Sequence, residues 1–351
     1  MKAAVFYGGH DIRVEELPDP EPGPGEVLLR VRSAGVCGSD LHPYRAPPVD
    51  GIREPHQRGH ELAADVVALG EGVEDVSAGQ RVGVEAEHLL GCGACRACRH
   101  AQNHICADRG FRNGERQESH GFSQLDVCLA TSCHVLPESV SFDAATQLDC
   151  YACGVHALNR MPVGPDSTVV VIGTGAIGMT LGQLARAYGA GQVVMVGTRP
   201  EPLAIAMEAN AADVVLAISD GDPVQALLDS TNGHGADTVF ETVGGKSTTI
   251  DQAIGMARYG GSVSVLGVFT GSPTVDVRSA YRKELNIRWS NSYSSWQGVS
   301  EYQTALRLLV SGWVDPSAFI TSHFPLESIG EAFAAADDKR NSGAIKVMVH
   351  P

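Results

Sequence analysis

The chain has 351 residues, 43% of them hydrophobic, and its 26 basic against 41 acidic side chains leave a formal net charge of -15. That length suits two domains of ordinary size, and the acidic balance argues against nucleic acid or an anionic membrane as the main partner. No run approaches the ~18 continuous apolar residues of a membrane span, and the opening "MKAAVFYGGHDIRVEEL" lacks the apolar stretch of a secretory signal. A cytoplasmic protein is expected, its nine cysteines kept as thiols with the clustered ones on a metal.

In chain order, "KAAVFY", "DIRVEEL" and, after the Pro-rich bend "PDPEPGPG", "EVLLRVRSAGV" read as strands. "ELAADVVALG" and "QRVGVEA" continue the β-rich pattern. The character changes near residue 150. "STVVVIGTGAIGMTLGQLARAYGA" is a buried strand, a glycine turn and a helix, and "GQVVMVG" is the next strand. "ADVVLAI", "VQALLDST", "ADTVFETVG", "TIDQAIGMAR" and "GSVSVLGVF" keep strands and helices alternating, the signature of a doubly wound parallel sheet. The chain closes with helical "SEYQTALRLLVSG" and "FPLESIGEAFAAADD" and a strand "AIKVMVH". The expectation is an α/β protein with a β-rich domain over 1–150 and 291–351 and a Rossmann domain over 151–290.

"VVVIGTGAIG" puts Gly173, Gly175 and Gly178 between a strand and a helix. The first glycine permits the tight turn, the second lets a pyrophosphate approach the backbone, and the third allows close packing of helix on strand. The phosphates then sit at the positive end of the helix. The next strand ends in Gly197, Thr198 and Arg199, where an NAD site usually carries Asp or Glu for the ribose 2'-hydroxyl. An arginine there suits a 2'-phosphate, so NADP(H) is expected in preference to NAD(H).

Four cysteines, Cys92, Cys95, Cys98 and Cys106, follow C-x2-C-x2-C-x7-C. Four thiolates in one loop close a tetrahedral zinc site and leave no position for substrate, so the site reads as structural. The ferredoxin run ending C-x3-C-P is not met. A second, scattered set of donors occurs in "GVCGSDLH" and "RGHELAAD", where Cys37, His60 and Glu61 are ligand types suited to zinc.

With Cys37-Gly38-Ser39-Asp40 and His42, Gly59-His60-Glu61, the cysteine cluster and "GTGAIG", the chain resembles the zinc-dependent medium-chain alcohol/polyol dehydrogenases over essentially its full length. The resemblance implies a GroES-like catalytic domain beside the Rossmann domain, and two zinc ions per chain. Cys37 and His60 would bind the catalytic zinc, with Glu61 as a direct or exchangeable ligand. "QLDCYACGVHAL" matches the stretch that carries a further ligand and puts Asp149 at that position, where the family usually has Cys or Glu. Cys150, one residue on, would point elsewhere. Ser39 and His42 match the proton relay, and Ile177, Val268 and Asn291 join the cofactor contacts. The cysteine spacing matches the family's lobe-stabilising zinc.

The resemblance further implies a small-molecule secondary alcohol or ketone as substrate, in the polyol, sugar-like or amino-alcohol range, and a homo-oligomer, tetramer in preference to dimer. "GSVSVLGVF" is a candidate edge strand for pairing across subunits. Tyr44, Tyr293 and Trp296 could line the substrate pocket. Two other readings compete: a zinc-free enone or quinone reductase on the same fold, and a non-catalytic NADP-binding interaction protein. Metal content separates the three.

Overall fold

The computed structural model describes residues 1–47, 58–86, 91–109, 119–161 and 163–351, with the backbone alone at 111–112 and 115–116. Two compact units emerge, Met1–Asp149 with Ile320–Pro351, and Cys150–Phe319. The sequence sets the return to the first domain at 291, whereas the units divide at Ile320. Residues before it stay with the second unit because Glu301 hydrogen-bonds His156 and Asn159 there, and Tyr302 packs on Tyr293.

The first unit is built on a seven-stranded sheet. Its path runs Ile320–Pro325, Lys346–His350, Glu26–Gly35, Glu61–Leu69, Arg81–Val84 and Cys133–Val135, and Leu125–Leu129 also pairs with Glu26–Gly35. Along Glu26–Val31 the period-two alternation of "EVLLRV" buries Val27, Leu29 and Val31. Beyond it a core of aromatics closes the unit, with Phe333 edge-on to Phe6 and Phe122 at 5.1 and 5.4 Å between ring centroids. Each such fully buried ring contributes about 1.5–3 kcal/mol through removal from water.

Register positions the chemistry in this unit. Gly35 pairs with Glu61 in the antiparallel ladder, and Met348 pairs with Gly35 from the other side. Cys37, two residues beyond Gly35, and His60, one before Glu61, therefore leave the sheet at the same end. Gly59 has φ +113, and a Cβ there would come within 2.8 Å of the Phe122 nitrogen, so only glycine lets the chain turn into His60.

The second unit carries six parallel strands in the order Val214–Ala217, Gln192–Gly197, Thr168–Ile172, Ala236–Glu241, Ala257–Val265 and Asn286–Trp289. Counted along the chain that order is 3-2-1-4-5-6, the Rossmann arrangement, and it reverses between Thr168–Ile172 and Ala236–Glu241. Near-continuous apolar strands such as "TVVVI" are buried on both faces, as crossover helices require. One expectation fails. "GSVSVLGVF" is not an edge: its strand lies inside the sheet, and Asn286–Trp289 covers it. The short, mostly exposed "NIRW" carries too weak a pattern to be recognised as a strand from sequence.

Among the described residues no helix is long and apolar enough to cross a membrane.

Candidate active site and metal centres

Cys37 caps the helix Gly38–Arg45, and its backbone N–H donates to Asp40 Oδ2 at 3.0 Å. One donor atom each from Cys37, His60 and Glu61 lie within 4.8 Å of one another. Asp40 is buried at 1% exposure, with Oδ1 3.7 Å from His60 Nδ1. Burial raises the Asp40 pKa, opposed by His60 and the Cys37 N–H. At His60, burial works against a positive charge, yet Asp40, Cys37 and Asp149 together raise its pKa well above the ordinary value. Surroundings that favour positive charge on this half-buried imidazole also favour a cation. A thiol, an imidazole and a carboxylate are the donor types of a zinc site with an open position. The residues present thus fit a metal ion.

Asp149 sits in the first turn of the helix Leu148–Asn159 at 8% exposure. It acts electrostatically on His60 and is not a member of the three-residue donor cluster. Cys150 is buried at 2%, and its carbonyl accepts from the Thr180 hydroxyl at 3.4 Å, consistent with a packing role. Ser39 and His42 are both exposed on the helix that follows Cys37; their spacing of three puts them side by side on its surface. Tyr44 packs between His10 and Phe333, and Tyr293 is fully buried against Tyr302, so both serve the cores, while Trp296 stays 40% exposed.

Sequence reasoning missed two residues. Asp40 lies within the quoted stretch, and its signal was an acid three residues after Cys37, where a side chain turns back to cap the helix. Lys346 forms a buried ion pair with Glu61 and donates to the Val36 carbonyl at 3.2 Å. Its signal was a lysine inside the apolar strand "AIKVMVH".

The four cysteines form a second centre. Cys92 and Cys98 are 3.9 Å apart at sulfur, Cys95 and Cys98 3.6 Å, and Cys95 and Cys106 3.7 Å. A zinc tetrahedron with sulfur at ~2.3 Å has edges of about 3.8 Å, so the sulfurs are already at the spacing of that ion. The Cys98 N–H lowers the Cys95 thiol pKa to about 6, while burial raises that of Cys98 to about 12.

In the second unit Gly173 follows Thr168–Ile172, and Gly175 caps the helix Ala176–Ala187. Gly173 has φ +116, and a Cβ there would lie 2.5 Å from Thr242 Oγ1. A Cβ on Gly178 would strike the Gly173 carbonyl, whereas one on Gly175 would meet nothing within 4 Å. Two glycines are thus demanded by packing, and the third faces open space at a helix N-terminus, where a phosphate would lie. Ile177, in the first turn, is half-buried. Gly197 packs against Thr174 and Leu203, so it brings strand and turn close together as well as leaving room. Thr198 is exposed, and half-buried Arg199 caps the helix Pro200–Glu208. Val268 is 64% exposed, its carbonyl accepting from the Gly245 N–H at 2.8 Å, and Asn291 is exposed. Because the sheet is parallel, these residues all lie at or beyond the carboxyl ends of its strands, the side on which open α/β sheets bind ligands.

Residues 23–138 match the family model of the alcohol dehydrogenase GroES-like domain, and residues 176–311 match that of the zinc-binding dehydrogenases. The chain is 29% identical to a sorbitol dehydrogenase of Bacillus subtilis, over 100% of this chain and 97% of that protein. It is 30% identical to an L-idonate 5-dehydrogenase of Vitis vinifera, over 99% and 93% respectively. The solved structure of galactitol-1-phosphate dehydrogenase from Escherichia coli superposes with a TM-score of 0.86 at 28% identity, covering 100% of both chains. A GroES-like domain joined to a Rossmann parallel sheet, at this level of identity over the whole chain, makes the protein an oxidoreductase acting on small-molecule alcohols and a member of the zinc-dependent medium-chain dehydrogenase family.

Proposed function

We propose that this chain is a zinc- and NADP(H)-dependent dehydrogenase that interconverts a polar secondary alcohol, of the polyol or sugar-like class, with its ketone. The observation that carries this reading is the convergence of Cys37, His60 and Glu61 in surroundings that favour a positive charge. One unit supplies metal ligands and the other a dinucleotide cradle; hydride exchange between a nicotinamide and a carbinol carbon is the reaction class that needs both. A sorbitol and an L-idonate dehydrogenase among the relatives support the polyol class. Arg199 at the end of the second Rossmann strand supports the phosphorylated cofactor.

In this reading Cys37 and His60 hold the catalytic zinc, with Glu61 and Asp149 as the carboxylates at hand. A zinc ion held there would supply Lewis-acid polarisation of the substrate oxygen. Asp40 holds the Cys37 end of the helix and keeps negative potential on His60. Ser39 hydrogen-bonds the substrate oxygen and relays the departing proton by giving its own hydroxyl proton to His42 as it receives the alcohol's, and His42 hands a proton to solvent, a route that the exposed helix surface supports. Gly175 leaves room for the pyrophosphate, and Arg199 pairs with the 2'-phosphate. Cys92, Cys95, Cys98 and Cys106 hold a second zinc that carries no chemistry. Nine free thiols support a reducing, cytosolic setting, and a homo-oligomer, tetramer before dimer, completes the proposal.

The test is turnover with NADPH and NADH against a panel of ketones and polyols, paired with metal analysis. The expected result is activity on polar secondary alcohols or ketones, a preference for NADPH, two zincs per chain, and loss of turnover with one zinc in Cys37→Ser. Full activity after both metals are stripped would sink the mechanism and favour a zinc-free reductase.

A further inference from the structure

Asp143, His323 and His350 meet on the first unit from three separate stretches of chain. His323 lies in the strand Ile320–Pro325 and His350 ends the strand Lys346–His350. The strands run parallel, with His323 opposite Met348 and Pro325 opposite His350. Alternation therefore puts both imidazoles on the same face, one step apart along the diagonal. Their rings stack 5.5 Å apart at an interplanar angle of 15°.

Asp143, on the short helix Phe142–Thr146, faces both. Its Oδ1 is 2.8 Å from His350 Nε2 and its Oδ2 3.4 Å from His323 Nδ1. One donor atom from each of the three lies within 4.8 Å of the others. The buried Ser33 hydroxyl donates to Asp143 Oδ1 at 2.5 Å, which fixes the carboxylate from behind, as outer partners of metal ligands do.

Two imidazoles and one carboxylate are the donors preferred by late first-row divalent ions. Adjacent strands hold the imidazoles in place, so little ordering is needed on binding. The side chains are 49%, 39% and 26% exposed for His323, His350 and Asp143, so the remaining coordination positions face solvent. We propose that Asp143, His323 and His350 form a third metal site on this chain, separate from the two described above, which binds a late first-row divalent ion through two imidazoles and a carboxylate with water completing the shell. This proposal does not depend on the assigned reaction.

The experiment is calorimetric titration of zinc chloride into tag-free protein that retains its resident metals, with metal analysis after gel filtration. Wild type should take up one further equivalent. That equivalent should weaken at least ~tenfold in His323→Gln, which changes the more exposed ring, and disappear in the His323→Gln/His350→Gln double variant. Circular dichroism confirms that each variant folds, and the single variant decides the question if the double one does not. A wild type that takes up no further zinc overturns the proposal, and so does a further equivalent kept undiminished in His323→Gln.

Discussion

Lys346 and Glu61 form an ion pair in the interior of the first unit, at 2% and 1% exposure, although 285 residues separate them. Two charges removed from water are held by each other and by the Val36 carbonyl. Lys346→Met takes from the buried Glu61 carboxylate the ammonium that pairs with it, which should cost about 3–5 kcal/mol in metal-free protein. Adding Glu61→Gln to it removes that charge and should recover a large part of the loss. Equilibrium denaturation of the two variants and wild type checks this; equal stability of Lys346→Met and wild type would show that the pair carries no such charge.

The pair also explains how far the active site could be read from sequence. Cys37 and His60 were legible because each lies in a short, dense motif, and the pairing of Gly35 with Glu61 brings the motifs together. Glu61 was legible as a candidate ligand but not as a partner of Lys346, since that contact comes from the far end of the chain. The Rossmann half was read almost strand by strand, because buried parallel strands are continuous apolar runs. The missed strand, Asn286–Trp289, has no such run. Asp143, His323 and His350 were invisible for the same reason as Lys346: only parallel register and a packed helix bring them together.

The glycines of the dinucleotide turn divide into two roles that mutation can separate. A Cβ at Gly178 collides with the Gly173 backbone, so Gly178→Ala should destabilise the second unit by about 1–3 kcal/mol. Gly175 has φ -82 and ψ 179, ordinary for any residue, with open space beyond it. Gly175→Ala should leave the melting temperature of cofactor-free protein unchanged and weaken cofactor binding about tenfold or more. Differential scanning calorimetry and a fluorescence titration with NADPH measure the two effects. Unchanged affinity in Gly175→Ala would place the pyrophosphate elsewhere.

Glu301 gives the second unit a pH-dependent contribution. Its carboxylate is fully buried and accepts from Asn159 Nδ2 at 2.9 Å and the Ser294 N–H at 2.8 Å, with His156 Nδ1 at 2.7 Å. Burial raises its pKa, but His156 and the other donors outweigh burial and the net shift is downward. A depressed folded-state pKa stabilises the fold above the ordinary glutamate range, and that gain disappears as pH falls through the folded value. Glu301→Gln should therefore cost about 1–3 kcal/mol at neutral pH. The gap to wild type should narrow once the solution is more acidic than the folded pKa. Denaturation curves across that range would show it, and a pH-independent gap would rule out the charged form as the source.

The cysteine cluster should report on stability before it reports on chemistry. Its sulfurs stand 3.6–3.9 Å apart, and Cys98→Ser removes one of four thiolates from a closed set. The variant should hold one zinc fewer and melt earlier, with turnover per folded molecule close to wild type. A folded Cys98→Ser protein that is inert would move this centre into the catalytic machinery.

Arg199 is where the choice of cofactor should be decided. It caps the helix that leaves the second Rossmann strand, with exposed Thr198 before it, at the place where a carboxylate would grip a ribose 2'-hydroxyl. A guanidinium there offers paired donors to a phosphate and nothing comparable to a neutral ribose. A charge-assisted hydrogen bond contributes about 1.5–3 kcal/mol, so Arg199→Ala should weaken NADPH binding by about ten- to a hundredfold and leave NADH nearly untouched. Dissociation constants for both cofactors, measured on wild type and variant, decide it. Equal losses would mean that Arg199 holds the adenine or the turn itself, and the preference for NADP(H) would then lose its basis in this residue.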